Sequence, residues 1–520
     1  MGAKKDPFFV YINNSHPEVT GSCIQVTVRY PNNEKTNFFV DCGLFQEKKY
    51  NRLNRRFNFN PKKFEFGLIT HNHIDHIGRV PLLVKQGFEG NIYTSYATQK
   101  LMPLAYADTV EIFRQSCQSR YGKHSKSNSH ENHDKHGKRD ISTKHDRYEK
   151  ANKDSHDSER DKLLREVAKP LYGTEEVSQA LSMVKGCRYG ETITINKNIK
   201  VVFFKNLHLI GATIILVKIS YPGYQDINLL FTGDYNNKNM FLEFEELPQE
   251  VLELPLTVIQ EATYGNSYSN EVKPCFEANV QRQIANNGIV LVPVFALGRA
   301  QEILYILKKM QQDRKLSKDI PIYFDGKLAH SYTEKYLDDD LGLKDGMKDF
   351  IPENLTSVSA KERMSIINDN RPKIILTTSG MGSFGPAQTY IPYMLSKKNV
   401  LIHFTGYTTE GTLGRILKDT PAGGIVEFAH KTYLKNADVE YTAEFSGHAK
   451  ADELIDFLKK FKNLKLVLIN HGEKETKYSF AGKVMKEVGA KDVEVMGVDY
   501  YFKINPYGLV ACKSSKFKIK

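Results

Sequence analysis

The amino-acid sequence predicts an α/β fold, and three observations carry that expectation. Residues 7–95 read as one strand after another, residues 266 to about 435 alternate strands with helices, and a last strand–helix–strand unit starts at "LKLVLINHGE". Strands that alternate with helices build mostly parallel sheets covered by helices.

The first block holds "FFVYI", "CIQVTVRY", "NFFVDCG", "FGLIT" and "NIYTS", rich in β-branched and aromatic residues and divided by Asn, Pro and Gly turns. From Ala97 to Cys117 apolar residues recur at helical spacing, which predicts a helix. Residues 121–162 then mix both charges with Ser, Asn and His and hold almost no apolar side chain. Such a stretch cannot bury enough surface to order itself, so a disordered or loosely helical insertion is expected. Its histidines, His124, His130, His133, His136 and His145 among them, are read as solvated rather than as metal ligands. A helix over 174–185 and the strands "ETITI", "IKVVFF", "ATIILVKI" and "INLLFTGD" follow. In the second block "GIVLVPVF" leads into the helix "GRAQEILYILKKM", with "KIILTTSG" and "NVLIHFTGY" as later strands. After "LKLVLINHGE" a helix runs to about Val488, and "VEVMG" is a final strand.

Bulk properties narrow the class. A chain of 520 residues exceeds one simple core, so two domains or one elaborated domain is expected. A net charge of +12 and a pI near 9.0 suit a polyanion partner. The six cysteines are scattered with no C-x-x-C pair, which argues against a zinc ribbon and a disulfide framework. "MGAKKDPFFVYINN" lacks the apolar stretch of a signal peptide, and no apolar run approaches membrane-spanning length. The expectation is a cytoplasmic protein with no membrane partner.

The chemistry concentrates in "LITHNHIDHIGRV", residues 68–80. The polar run follows the apolar end of a strand, where α/β folds place ligand sites. In extended backbone His71 and His73 project to one face, whereas Asp75 and His76 fall where the chain turns towards a helix. Two neighbouring metal positions are therefore expected rather than one. Imidazole plus carboxylate without thiolate suits zinc or manganese in a hydrolytic site. Four residues cannot complete two metal shells, so polar residues ending other apolar strands are the candidates. His208 in "VVFFKNLHLIGA", Asp234 in "LLFTGD" and His471 in "LVLINHGE" fit that description.

"THNHIDHIG" matches the H-x-H-x-D-H signature of the metallo-β-lactamase fold. "FTGD", "EATYG", "PVFALGRAQEILYIL", "TTSGM", "GYTTEGTLGRIL", "FSGHA" and "NHGE" resemble the β-CASP nuclease branch of that fold, in order, from about residue 20 to 490. This is the branch of the cleavage and polyadenylation endonuclease and its bacterial and archaeal relatives. The resemblance implies a four-layer αββα sandwich with an inserted α/β β-CASP domain. Its parts would be residues 1–265, interrupted by the 121–162 insertion, then 266–435 as the β-CASP domain, then 436–520 as the returning sandwich with an RNA-metabolising motif. It further implies that His71, His73 and His208 hold one metal, that Asp75, His76 and His471 hold a second, and that Asp234 bridges them. Asp75, Glu261 and His448 form the implied catalytic set, with His448 assisting the leaving group. The sequence departs from the family's usual S-A-H-A-D, having Ser446-Gly447-His448-Ala449-Lys450.

Two divalent ions a few ångströms apart can share a hydroxide whose pKa falls from that of water to about 7. The expected reaction is therefore hydrolysis of RNA phosphodiester bonds with such a hydroxide, two ions being the cofactors, zinc first and manganese next. Gly380, Gly382 and Gly385 spell G-x-G-x-x-G after a strand, but no acidic residue lies about 20 residues on, as a dinucleotide site requires. Backbone N–H groups at Ser379, Gly380, Gly406 and Tyr407, together with Arg299, are read instead as a cradle for substrate phosphate. RNA, single-stranded, is the expected partner because His471 stands where DNA-repair members of the branch tend to have Val. A DNA nuclease and a catalytically silent RNA-binding scaffold are the alternatives, and a homodimer is a family-level expectation.

Overall fold

The computed structural model describes residues 8–127, 169–338, 341–406, 408–428, 431–498 and 500–514. Most of the 121–162 insertion therefore lies outside the described residues, as does Tyr407; residues 121–127 continue the helix Tyr96–Ser127, ten residues past the expected end at Cys117.

Two large sheets face one another. The first runs, in spatial order, Gly508–Ser514, Tyr500–Asn505, Phe9–Asn14, Ile24–Arg29, Lys35–Val40, Phe66–Leu68, Asn91–Ser95 and Val184–Cys187. The second runs Val493–Val495, Leu464–Asn470, Leu256–Glu261, Ile227–Phe231, Thr213–Ile219, Ile199–Lys205 and Thr192–Asn196. Alternation in the strands explains their facing. Ile24, Val26 and Val28 are buried while Gln25 and Thr27 are only partly so, because a pleated strand sends successive side chains to opposite faces. Val10, Val26 and Phe38 of the first sheet meet Phe203, Val217 and Leu229 of the second in one shared core. Helices cover both outer faces. Val80–Lys85, Tyr96–Ser127 and Thr174–Met183 lie on the first sheet, and Ala451–Lys459 and Lys474–Glu487 on the second. This is the four-layer αββα sandwich, completed by strands from both ends of the chain.

A third sheet is wholly parallel: Leu355–Ser357, Ile322–Asp325, Lys373–Thr377, Ile289–Pro293, Val400–Phe404 and Asp438–Tyr441. Its central strand "IVLVP" is buried at every position, as a strand covered by helices on both faces must be. The helices Arg299–Gln312 and Lys327–Tyr336 pack one face, Ala387–Leu395 and Leu413–Asp419 the other. Leu207, Leu209 and Phe241 join the core of this layer, so it is continuous with the sandwich rather than tethered to it.

Topology positions the site. Ile227–Phe231, Leu256–Glu261 and Leu464–Asn470 are adjacent and parallel, so their carboxyl ends emerge at one edge. Asp234, Glu261 and His471 lie at or just past those ends. In the facing sheet Lys35–Val40 and Phe66–Leu68 are likewise parallel, bringing Asp41 and the 70–76 loop to the same rim. The strand expected over "FGLIT" stops at Leu68, so the irregular segment that carries the histidines begins two residues earlier than expected, at Ile69.

Candidate metal centre

The loop 70–76 is held rigidly from beneath. Thr70 N–H and its hydroxyl both donate to Asp41, at 2.8 Å each, and Cys42 N–H donates to the His76 carbonyl at 2.7 Å. Gly43 lies so close that a Cβ there would sit 1.5 Å from the Asp75 carbonyl oxygen. His71 and His73 occupy irregular backbone, while Asp75 and His76 belong to the single helical turn Ile74–Ile77. The two pairs fall into different ligand groups, yet His71 and His76 converge on Asp234 Oδ2 at 3.6 and 3.3 Å, and the first pair does not sit in a strand.

Two groups of ligand atoms form. His71, His73, His208 and Asp234 make one and Asp75, His76 and His471 the other, the ligand atoms of each lying within 4.8 Å of one another. Asp234 sits between the groups: Oδ2 is 3.6 Å from His71 Nε2, 3.7 Å from His208 Nε2 and 3.3 Å from His76 Nε2, and Oδ1 is 3.3 Å from His471 Nε2. The outer nitrogens of the imidazoles are spoken for. His71 Nδ1 meets the Thr70 hydroxyl at 3.0 Å, His76 Nδ1 donates to Asp41 Oδ2 at 2.7 Å, His208 Nδ1 to the Gly447 carbonyl at 2.6 Å, and His471 Nδ1 meets the Thr263 hydroxyl at 3.0 Å. Such outer partners fix the tautomer and leave Nε2 free to ligate. Nε2 of His71, His76 and His471, and Oδ1 of Asp234, are buried with no hydrogen-bond partner. Buried polar atoms are almost always satisfied, so four orphans aimed at one another fit a divalent cation between them.

The electrostatics agree for four of the five ligand imidazoles, and His76 is the exception. Burial pushes the His71 and His208 imidazoles well below their ordinary range and His73 down to about 3, so they stand as neutral bases ready to ligate. His471 is lowered too, by burial first. Burial would also lower His76, but Asp234 and Asp41 hold it well above the usual value. Burial alone would raise Asp234; the surrounding imidazoles, His471 and His76 foremost, hold it well below the carboxylate range. Asp75 is pushed up to about 6 by burial. His471 also has a positive φ of 41°, a conformation costly for a non-glycine residue and typical of functional positions.

A second unit flanks the first. Glu261 accepts from Tyr235 N–H at 2.7 Å and from Thr263 N–H at 3.0 Å, which pins its carboxylate. His448 Nδ1 donates to Glu261 Oε1 at 2.9 Å, and its Nε2 lies 3.9 Å from Asp234 Oδ2. Burial opposes protonation of His448, yet Glu261 and Asp234 together raise it. The backbone of His448 is fixed by the Ser446 hydroxyl, which accepts from His448 N–H at 3.0 Å. At Gly447, where alanine was expected, a Cβ would lie 3.0 Å from His208 Nδ1, a tight contact.

The remaining candidates sit elsewhere. Gly380 and Gly406 flank the ring of Phe295, where added Cβ atoms would lie 2.8 and 3.0 Å from it. Ser379 closes a tight turn by accepting from Gly382 N–H at 2.9 Å. Arg299 is engaged in an ion pair with Glu302 and lies over the Phe445 ring at 5.6 Å. Asp452 does not replace the acidic residue missing at 450: it caps Ser269, accepting from its N–H at 3.0 Å. Lys450 itself is 4% exposed, its ammonium 3.4 Å from the centroid of the Tyr264 ring and without a hydrogen-bond partner. Sequence reasoning missed Asp41, Thr70 and Thr263. Asp41 ends the apolar run "NFFVD" and satisfies the same rule that singled out Asp234, so the signal was there; the two threonines carry none.

Fold and site together define a metal-dependent hydrolase of the metallo-β-lactamase superfamily. Residues 21–111 match the metallo-beta-lactamase superfamily profile, residues 300–417 the Beta-Casp domain, and residues 433–496 the Zn-dependent metallo-hydrolase RNA specificity domain. Together the three matches support a β-CASP nuclease of the RNA-processing branch. It is 26% identical over 474 residues to an RNase J-like protein of Methanocaldococcus jannaschii, covering 89% of this chain and 92% of that one. It is 28% identical over 452 residues to a ribonuclease of Thermus thermophilus, 84% of this chain and 88% of that one. With the transcription termination factor FttA of Methanosarcina mazei it shares 26% identity over 496 residues, 91% of this chain but 68% of that one. No helix of the described residues is long and apolar enough to cross a membrane.

Proposed function

We propose that this chain is a ribonuclease that hydrolyses phosphodiester bonds of single-stranded RNA with two divalent ions, zinc first. The observation that carries the reading is the set of four orphaned, buried ligand atoms meeting between residues 71 and 471, in a chain that matches an RNA specificity domain. His71, His73 and His208 would hold one ion and Asp75, His76 and His471 the other, with Asp234, within 3.7 Å of four imidazoles, available to both. Bound there, the ions supply Lewis acidity and lower the pKa of water to about 7.

The protein's own groups do the rest. His448, oriented by Glu261, delivers a proton to the departing oxygen as general acid. Glu261 is a positioning residue held by two backbone amides, so it fixes the imidazole without moving itself. Asp75 lies with His76 and His471 on the second ion's side of the site. Arg299 and the turns at Ser379, Gly380, Gly406 and Tyr407 are offered for substrate phosphates, Tyr407 from outside the described residues. A homodimer and a cytoplasmic location remain family-level proposals. The names of the relatives favour RNA over DNA and an active enzyme over a silent scaffold.

The test is cleavage of matched RNA and DNA strands by the purified chain, with metal content measured in parallel. Chelator-sensitive cleavage of RNA is expected. Cleavage of DNA alone, or metal-loaded protein inert towards both polymers, overturns the proposal.

A further inference from the structure

The segment between the strand Lys35–Val40 and the metal loop contains "KKYNRLNRRFNFNPKK", residues 48–63, which has seven basic residues and no acidic one. Lys49, Arg52, Arg56, Lys62 and Lys63 are exposed. Lys49 is paired, with Glu18 at 2.9 Å and with Glu410 at 3.4 Å, and Arg55 donates to the Lys169 carbonyl at 2.7 Å. Arg52, Arg56, Lys62 and Lys63 pair with no carboxylate of the described residues. Their charge is therefore uncompensated within the part of the molecule described.

This segment is not a loose loop. Arg79, three residues beyond His76, is buried and donates from Nη1 to the Leu53 carbonyl at 3.1 Å, while its guanidinium lies 4.7 Å and 5.1 Å from the rings of Phe45 and Phe57. Asn54 donates to the Phe45 carbonyl at 2.9 Å and accepts from Phe45 N–H at 2.8 Å, closing the base of the segment. The Leu44 N–H donates to the Ile74 carbonyl at 3.0 Å, one residue from Asp75. On its far side Lys49 reaches Glu410 of the parallel-sheet layer and Glu18, whose carbonyl accepts from Gly472 N–H beside His471 at 3.1 Å. The amino-terminal half of the basic segment is thus braced beside the metal centre and reaches the layer opposite, while its carboxyl-terminal half runs to the amino end of the strand Phe66–Leu68, with Lys62 against Gly87.

We infer that residues 48–63 form a docking rail for the sugar–phosphate backbone of an RNA strand leading to the metal centre, with Arg52, Arg56, Lys62 and Lys63 as its phosphate contacts. The inference rests on the ribonuclease reading above and adds to it the route of the substrate. A polyanion is the partner such a surface fits, since each phosphate met by a cation releases a condensed counterion. The rail reads backbone rather than base, so it confers affinity for long strands and not sequence preference.

The experiment uses the full chain carrying Arg52→Gln, Arg56→Gln, Lys62→Gln and Lys63→Gln together. Binding of a long single-stranded RNA is titrated against salt in the presence of chelator. The slope of log affinity against log salt should become shallower by about 3 if all four phosphate contacts are lost, at about 0.7 each for single strands. Cleavage of an oligonucleotide that only fills the metal cleft should keep its kcat, whereas KM for the long strand should rise. Replacing Arg52 and Arg56 by Lys, with Lys62 and Lys63 intact, should retain the wild-type slope. An unchanged slope in the fourfold variant overturns the rail while leaving the ribonuclease reading standing. A wild-type chain that neither binds nor cleaves RNA overturns both.

Discussion

Asp41→Asn isolates what an outer partner contributes to the metal centre. Asp41 is 2% exposed and uses both oxygens: Oδ1 accepts from Thr70 N–H, and Oδ2 accepts from the Thr70 hydroxyl at 2.8 Å and from His76 Nδ1–H at 2.7 Å. An amide is isosteric and keeps the first contact, but its NH₂ then faces two donors. The Thr70 hydroxyl can rotate away. The His76 ring cannot, so Nδ1 must give up its proton and become the acceptor. That tautomer places hydrogen on Nε2, the atom aimed at Asp234 from 3.3 Å, and blocks it as a ligand. Loss of such a partner weakens metal binding by about 10–100-fold, or about 1.4–2.7 kcal/mol. The assay is competition for the metal with a chromophoric chelator, with thermal unfolding of the metal-free protein as a control on folding. Wild-type metal affinity in a well-folded Asp41→Asn variant would refute the reasoning, because the tautomer would then not matter.

Three further outcomes are expected. His448→Ala should keep its metal content yet lose about 10²–10⁴ in cleavage rate, the usual worth of a general acid; an undiminished rate removes that role. Asp234→Ala should lose metal as well as activity, measured by elemental analysis of the dialysed protein, and retention of both ions counts against a bridging carboxylate. The Lys450 ammonium is held down to about 8 from an ordinary 10.5 by burial, equivalent to at most about 3 kcal/mol of penalty at neutral pH. Because the unfolded chain binds that proton more tightly, the penalty is full below pH 8 and relieved as pH rises towards 10.5. Lys450→Met should therefore stabilise the fold at pH 7 and flatten the rise in stability over that window; denaturant unfolding at several pH values checks both, and a destabilised variant would mean the cation is compensated by its place over Tyr264.

Much of the site was legible because its chemistry is local. His71, His73, Asp75 and His76 occupy six consecutive positions, and no packing argument is needed to see a ligand cluster there. His208, Asp234 and His471 were found by a weaker rule, that polar residues closing apolar strands are suspects, and that rule also covered Asp41, which went unremarked. Thr70 and Thr263 were beyond reach, since a hydroxyl that fixes a tautomer looks like any threonine until the imidazole stands beside it. The strands Ile322–Asp325 and Leu256–Glu261 are not among those the sequence predicts, being short apolar runs without alternation, and such runs do not separate strand from helix. Lys450 was legible only as a departure. That its ammonium ends buried over an aromatic ring could be known only from the neighbours that tertiary folding supplies.

By itself the sequence determined the types of the periodic elements, the metal-binding residue classes and the basic balance, because periodicity, ligand chemistry and charge are properties of the chain read in order. Only the tertiary structure decided that Asp234, Glu261 and His471 share one rim. Their strands lie side by side and parallel, and strand adjacency is set by which buried faces pack together rather than by distance along the chain.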